Sequence, residues 1–165
     1  MSLFTRFLSV LLILCLWVTP VLAKDALTPA EAPQIFVEAM YKLNYQTAWQ
    51  ILNGSTREHF VDTVLKMEKN NTLSKDQVEK YFNTADRALR RGFWTQFRRS
   101  MDILAWKDQT FTTAGPGPDG LVWVDVKPAN IRVLAQQEGS NWKFALYESF
   151  IKQPTPTPPS PSPSP

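Results

Sequence analysis

The sequence predicts an α+β domain, with N-terminal helices packed on a curved, mostly antiparallel sheet, and two observations carry that prediction. The first is a period of two along Leu121–Ile151. Val122, Val124 and Val126 share one face of a strand there, and Trp123, Asp125 and Lys127 share the other. The second is a series of helical periodicities between Ile35 and Met101. A sheet with one apolar face needs a cover in water, and helices with apolar stripes are the cover this chain has to offer.

In chain order, Thr28-Pro29-Ala30-Glu31 combines the Thr, first-turn Pro and third-position Glu of a helix start, with Pro33 delaying the regular helix. Ile35, Phe36, Ala39, Met40 and Leu43 then recur at helical spacing as far as Asn44. A short second helix, Tyr45 to Leu52, stops at Asn53-Gly54. Ser55 with Glu58 reads as a capping box for a third, with Phe60, Val61, Val64 and Leu65 on one side up to Asn70-Asn71. Ser74 with Gln77 opens a fourth, and Val78, Phe82, Ala85 and Leu89 point inward. Gly92 weakens or breaks it, while Phe93, Phe97 and Met101 suggest a further helical stretch. Leu104, Trp106 and Thr110–Thr113 favour strand, Gly115–Gly120 reads as a loop, and Pro128 requires a break between the next two runs. The last run places Trp142, Phe144, Leu146 and Phe150 on one stripe after a hairpin turn at Glu138–Asn141.

Composition divides the chain into three parts. Residues 1–23 carry one cation, Arg6, then an apolar block from Phe7 to Val18 and a small-residue exit ending at Ala23, the pattern of a cleaved secretory signal. The block is shorter than the roughly 18 to 20 residues needed to cross a bilayer. Cys15, the only cysteine, falls inside it behind Leu14, a poor match to a lipoprotein signal, so a cleaved chain would hold no thiol chemistry. Residues 153–165 alternate Pro with Thr and Ser and are expected to form a disordered, extended tail or spacer. The body, 24–152, has the length of one domain. A formal charge of +3, less one when Arg6 leaves, is too mild to argue for nucleic acid.

The order of helices before strands, the helix opening Asn44-Tyr45-Gln46-Thr47-Ala48-Trp49, and the terminal hairpin Glu138-Gly139-Ser140-Asn141-Trp142-Lys143-Phe144 are the residues that carry a family likeness. From about Pro33 to Ile151 the chain resembles the nuclear transport factor 2-like superfamily of cone-shaped α+β domains. Many exported members of it have a similar Asp-Gly-x-Trp-Lys hairpin near the end. The resemblance implies a curved sheet wrapped around a long N-terminal helix, with an apolar pocket at the open end of the cone. It leaves function open, since members include isomerases, dehydratases and many non-catalytic binding or assembly modules.

Few residues carry the chemistry of a site. His59, the only histidine, is where a general base near neutral pH would be sought, set against the plainer role of a boundary residue in a helix. Asp102 and Glu148 are the carboxylates that a pocket enzyme of the resembled kind would use, and Glu148 falls on the apolar stripe of the last run. Arg87, Arg91, Trp94 and Arg98 make one stripe at three-and-four spacing, suited to an anionic surface or simply to a solvated helix face. Trp123, beside Asp125 and Lys127, is the aromatic residue expected at an interface. Asn53-Gly54-Ser55 and Asn70-Asn71-Thr72 are sequons. No Walker loop, dinucleotide fingerprint, nucleophile elbow or metal-ligand cluster occurs, so no cofactor is expected.

Three readings follow. The first is an exported, non-catalytic domain that binds a small apolar ligand or a protein partner in the cell envelope. The second is a small cofactor-free isomerase or hydrolase using His59, Asp102 or Glu148, and the third a peripheral module that meets an anionic surface through the arginines. A homodimer through the outer sheet face is compatible with each.

Overall fold

The computed structural model describes residues 26–67, 72–84 and 87–152, without the side chains of 87–91, 103 and 104. The signal-like residues 1–23 and the proline-rich residues 153–165 lie outside the described residues. Four strands form one antiparallel sheet in the order β1 (Thr110–Pro116), β2 (Val122–Lys127), β3 (Ile131–Glu138) and β4 (Asn141–Phe144). Helices α1 (Glu31–Tyr41), α2 (Tyr45–Ile51), α3 (Gly54–Met67), α4 (Lys75–Asn83) and α5 (Arg87–Ser100) precede it, and a short α6 (Leu146–Phe150) follows. The α+β class expected from the sequence is the class observed.

Local chemistry explains where the helices begin. Glu31 reaches back to accept from the amides of Leu27 and Thr28, both at 2.8 Å, and Pro33 falls in the first turn of α1, where a missing amide costs nothing. Asn44 caps α2 through Thr47 N, and Ser74 with Gln77 forms both halves of the capping box expected at α4. At α3 the cap differs from the expectation. Asn53 supplies it, accepting from Thr56 N at 3.1 Å, because Leu52 and Asn53 are already fixed along β4, where Asn53 N donates to Phe144 O at 3.1 Å. Ser55 and Glu58 are then released for contacts with Glu148 and Lys75.

Three other expectations are corrected. Gly92 does not break α5, which runs through it with its α-carbon facing open space; the interruption falls before Arg87 instead. Ile103–Trp106 is a 3-10 turn in place of a strand, and β1 continues through Gly115, which at φ 124° accommodates a bulge, to pair Pro116 with Val122. The last strand stops at Phe144, and α6 occupies the positions read as strand. The buried Ser149 makes that ending stable: its hydroxyl accepts from Leu134 N at 2.8 Å and donates to Ala145 O at 2.7 Å, meeting a β3 amide that a longer β4 would have met.

The inner sheet face, Val124, Val126, Val133, Ala135 and Phe144, is fully buried beneath the helices. Aromatic rings occupy the space between the two layers. Trp49 stacks on Phe82 at 4.2 Å, and Tyr45 stacks on Trp94 at 5.9 Å. Trp94, with no exposed surface, also meets Phe60, Phe82, Phe93 and Phe97 edge-on, and Phe36 joins this cluster to Phe144 of the sheet. Each such pair adds about 0.5 to 1.5 kcal/mol beyond simple burial, so the cluster is the cement between α5 and the rest.

Candidate functional site

The outer sheet face behaves differently. Trp123 and Leu134 lie opposite each other on β2 and β3, on the face turned away from α1 to α5. Between β1 and β2 the chain folds into a tight loop, closed by Gly117 N to Leu121 O at 2.8 Å and Leu121 N to Pro118 O at 2.9 Å. That loop presses on Leu134, since a β-carbon at Gly117 would stand 3.0 Å from Leu134 Cδ2 and 3.2 Å from Leu121 O. Leu121, Leu134 and Ala145 thus form a second, small buried cluster, on which Trp123 lies half-buried.

A groove of about 490 Å³ opens above this cluster. Its floor is Leu121, Trp123 and Leu134; Pro118 and Asp119 form one wall, Glu148 and Lys152 the other. The surface is therefore mostly apolar with charged groups at the margin, the makeup expected of a recognition site.

Glu148 is held in place from behind. Ser55 Oγ donates to its Oε1, and Asn53 Nδ2 lies 3.2 Å from its Oε2. The same amide group reaches Gln136 Oε1 at 2.8 Å and Ser55 Oγ at 2.9 Å, and Asn53 has no exposed surface. One buried amide thereby ties the start of α3, strand β3 and helix α6 together. Nearby, Glu138 accepts from Gly54 N at 2.7 Å and faces Arg57 at 3.6 Å. The Asn53 side chain is spent in this network, so the first sequon offers no accessible amide in the folded chain; Asn70, of the second, lies outside the described residues.

Of the residues singled out in the sequence, Trp123 and Glu148 come together on this groove. The others do not. His59 is half-buried, its ring stacked 4.4 Å from Tyr147, and no hydrogen bond links that ring to an acid among the described residues. Asp102 is exposed in the turn after α5, at φ 45°. In the stripe of Arg87, Arg91, Trp94 and Arg98, the described part does not face outward: Trp94 is wholly buried, and Arg98 Nε is buried one turn further along. Packing explains it: α5 turns Trp94 and Phe97 toward the core, and its solvent side is Gly92, Thr95, Gln96 and Arg99, which line an open depression. The side chains of Arg87 and Arg91 lie outside the described residues.

No family model, characterised protein or solved structure matches the chain. What can be said of its site comes from geometry. Among the described residues no group of His, Cys, Asp and Glu could hold a metal ion, and no helix is long and apolar enough to cross a membrane.

The residues that sequence reasoning passed over are the supporting ones, Asn53, Gln136 and Ser149. In the sequence Asn53-Gly54 reads as a helix stop and as the start of a sequon. Asn and Ser cap helices about equally well, so no local signal favours Asn53 over Ser55.

Proposed function

We infer that the chain is a non-catalytic binding domain, exported and of nuclear transport factor 2-like shape, whose recognition surface is the groove around Trp123. The observation that carries this reading is the contrast between the two sides of the sheet. In a cone of the resembled kind an apolar ligand would enter between helices and sheet, and here aromatic rings occupy that space: Trp49, Trp94 and Phe36 are each at most 2% exposed. An accessible apolar groove lies on the other side, floored by Trp123. An open groove with a half-buried indole suits a segment of protein chain or a flat apolar ligand better than an enclosed substrate. Glu148 supports the binding role as well, because both of its oxygens are already engaged by Ser55 and Asn53, which fixes it as part of a wall.

The test uses a neutral apolar probe, N-phenyl-1-naphthylamine, added to the chain labelled with 5-fluorotryptophan and followed by fluorine NMR. The expected result is a saturable shift of the Trp123 resonance, assigned by its loss in Trp123→Phe, with Trp49 and Trp94 unmoved. Shifts confined to Trp49 and Trp94, or no saturable shift, would refute the groove as the site.

A further inference from the structure

We propose that the groove is occupied by the chain's own proline-rich segment, Gln153–Pro165, so that this segment is an intramolecular ligand that competes with any external one. The inference rests on the groove reading above and adds an occupant to it. Three observations converge. The wall residue Lys152 is also the last described residue, so the proline-rich stretch starts at the lip of the groove with no linker in between. Helix α6 ends there firmly, with Tyr147 O accepting from both Ile151 N at 2.9 Å and Lys152 N at 3.0 Å, which fixes the point of departure. Gln153 precedes a proline and is thereby biased toward extended backbone, the geometry that polyproline II requires from its first residue.

The chemistry of floor and ligand also matches. Segments rich in proline are recognised by grooves lined with aromatic rings, where the pyrrolidine faces lie on the rings and the stiff backbone has little entropy to lose. Trp123 offers the ring, and Leu121, Leu134 and Pro118 extend the apolar surface beside it. The segment has no charged side chain, so it meets Glu148, Asp119 and Lys152 without side-chain repulsion; its Thr and Ser hydroxyls can donate to the carboxylates, and its carbonyls can accept from Lys152. At about 3.1 Å per residue in polyproline II, the stretch reaches far beyond the groove and has ample length to turn back across it. Tethering at the lip raises its effective concentration to about the millimolar range, so contact with a dissociation constant below that range leaves the groove largely filled.

The experiment compares the full chain with a full-length variant in which every proline from Pro154 to Pro165 is replaced by glycine, both labelled with 5-fluorotryptophan. The expected result is that the Trp123 resonance alone moves on losing the prolines, and that the affinity for N-phenyl-1-naphthylamine rises by about threefold or more as the competitor is removed. A synthetic peptide of residues 153–165 added to the glycine variant should return the resonance and displace the probe. Identical Trp123 resonances and identical probe affinities in the two chains overturn the proposal, while probe binding at Trp123 in those same chains leaves the groove reading standing. Absence of probe binding at Trp123 in both overturns both. A Trp123 shift that grows with protein concentration would assign the segment to a second copy and overturn the intramolecular form.

Discussion

The inner and outer faces of the sheet are made from alternate residues of the same strands, and they differ in what covers them. Inside, Val124, Val126, Val133 and Ala135 are fully buried in one cluster with aromatic and aliphatic side chains of the helices. Outside, Trp123 and Leu134 meet a five-residue loop and the short α6, which bury Leu134 and leave Trp123 half-exposed. An identical strand pattern therefore gives a sealed core on one side and an accessible apolar floor on the other. The face that looks like surface in the alternation, with Asp125 and Lys127 beside Trp123, is the one that carries the open groove.

The largest effect should come from breaking the inner face. Trp94→Ala removes the ring that six other aromatic side chains touch and is expected to cost about 3 to 5 kcal/mol, read as a lowered urea midpoint. Probe binding at Trp123 should persist below that midpoint, which separates the two faces experimentally. A small loss, under about 1 kcal/mol, would show that the aromatic cluster is not the cement of the fold.

Next in size is the link between the faces. Asn53→Ala removes the α3 cap and leaves Gln136 and Glu148 short of a donor, at an expected cost of about 2 to 3 kcal/mol. Because Glu148 is a wall of the groove, probe affinity should fall as well. Unchanged affinity with lowered stability would mean that the network holds the fold alone.

These residues also mark how far the sequence can be read. The capping box at Ser74 and Gln77 was legible because all of its atoms lie within one turn. The cap of α3 was not, since both Asn53 and Ser55 satisfy the local rule and the choice is made by Phe144 and Glu148, remote in sequence. The strand that gives way to α6 after Phe144 follows the same logic: apolar alternation continues through Leu146, and bonds to partners remote in sequence, Ser149 to β3 and Tyr147 N to Thr56, reward a helix. Trp94 was misplaced because α5 carries arginines on both sides of its ring, so periodicity alone does not say which side meets the core. The place of Trp123 on the outer face was legible because the period-two pattern fixes strand faces without reference to what covers them.

A smaller effect should sharpen the outer face alone. Gly117→Ala sets a methyl 3.0 Å from Leu134 Cδ2 and 3.2 Å from the Leu121 carbonyl, which must push the loop away from the groove floor. The expected loss of stability is about 1 kcal/mol, with a clear change in probe affinity and none in the Trp49 and Trp94 resonances. An unchanged affinity would mean that the loop does not shape the site.

The smallest effect lies away from both faces. Lys75 beside Glu58, at 2.7 Å, holds that carboxyl below its ordinary range through a hydrogen bond and its charge, and Glu58 in turn raises Lys75. A lowered carboxyl stabilises the folded state above the unfolded-chain pKa and stops doing so as pH falls through the folded one. A raised ammonium stabilises below its ordinary pKa and stops as pH rises through the folded value. Glu58→Gln should therefore differ from the parent in thermal midpoint only slightly, in the neutral range, with the difference vanishing in acid and in high salt because the pair is exposed. A difference that survives high salt would contradict a screened surface pair.

The account turns on where an apolar ligand can sit, and titration of the Trp123→Ala chain with N-phenyl-1-naphthylamine tests it most directly. The predicted result is loss of saturable binding in a chain that still unfolds cooperatively, its stability lowered by about 1 to 3 kcal/mol as a half-buried ring is removed. Binding of undiminished affinity in that folded variant would place the apolar site elsewhere and contradict the account.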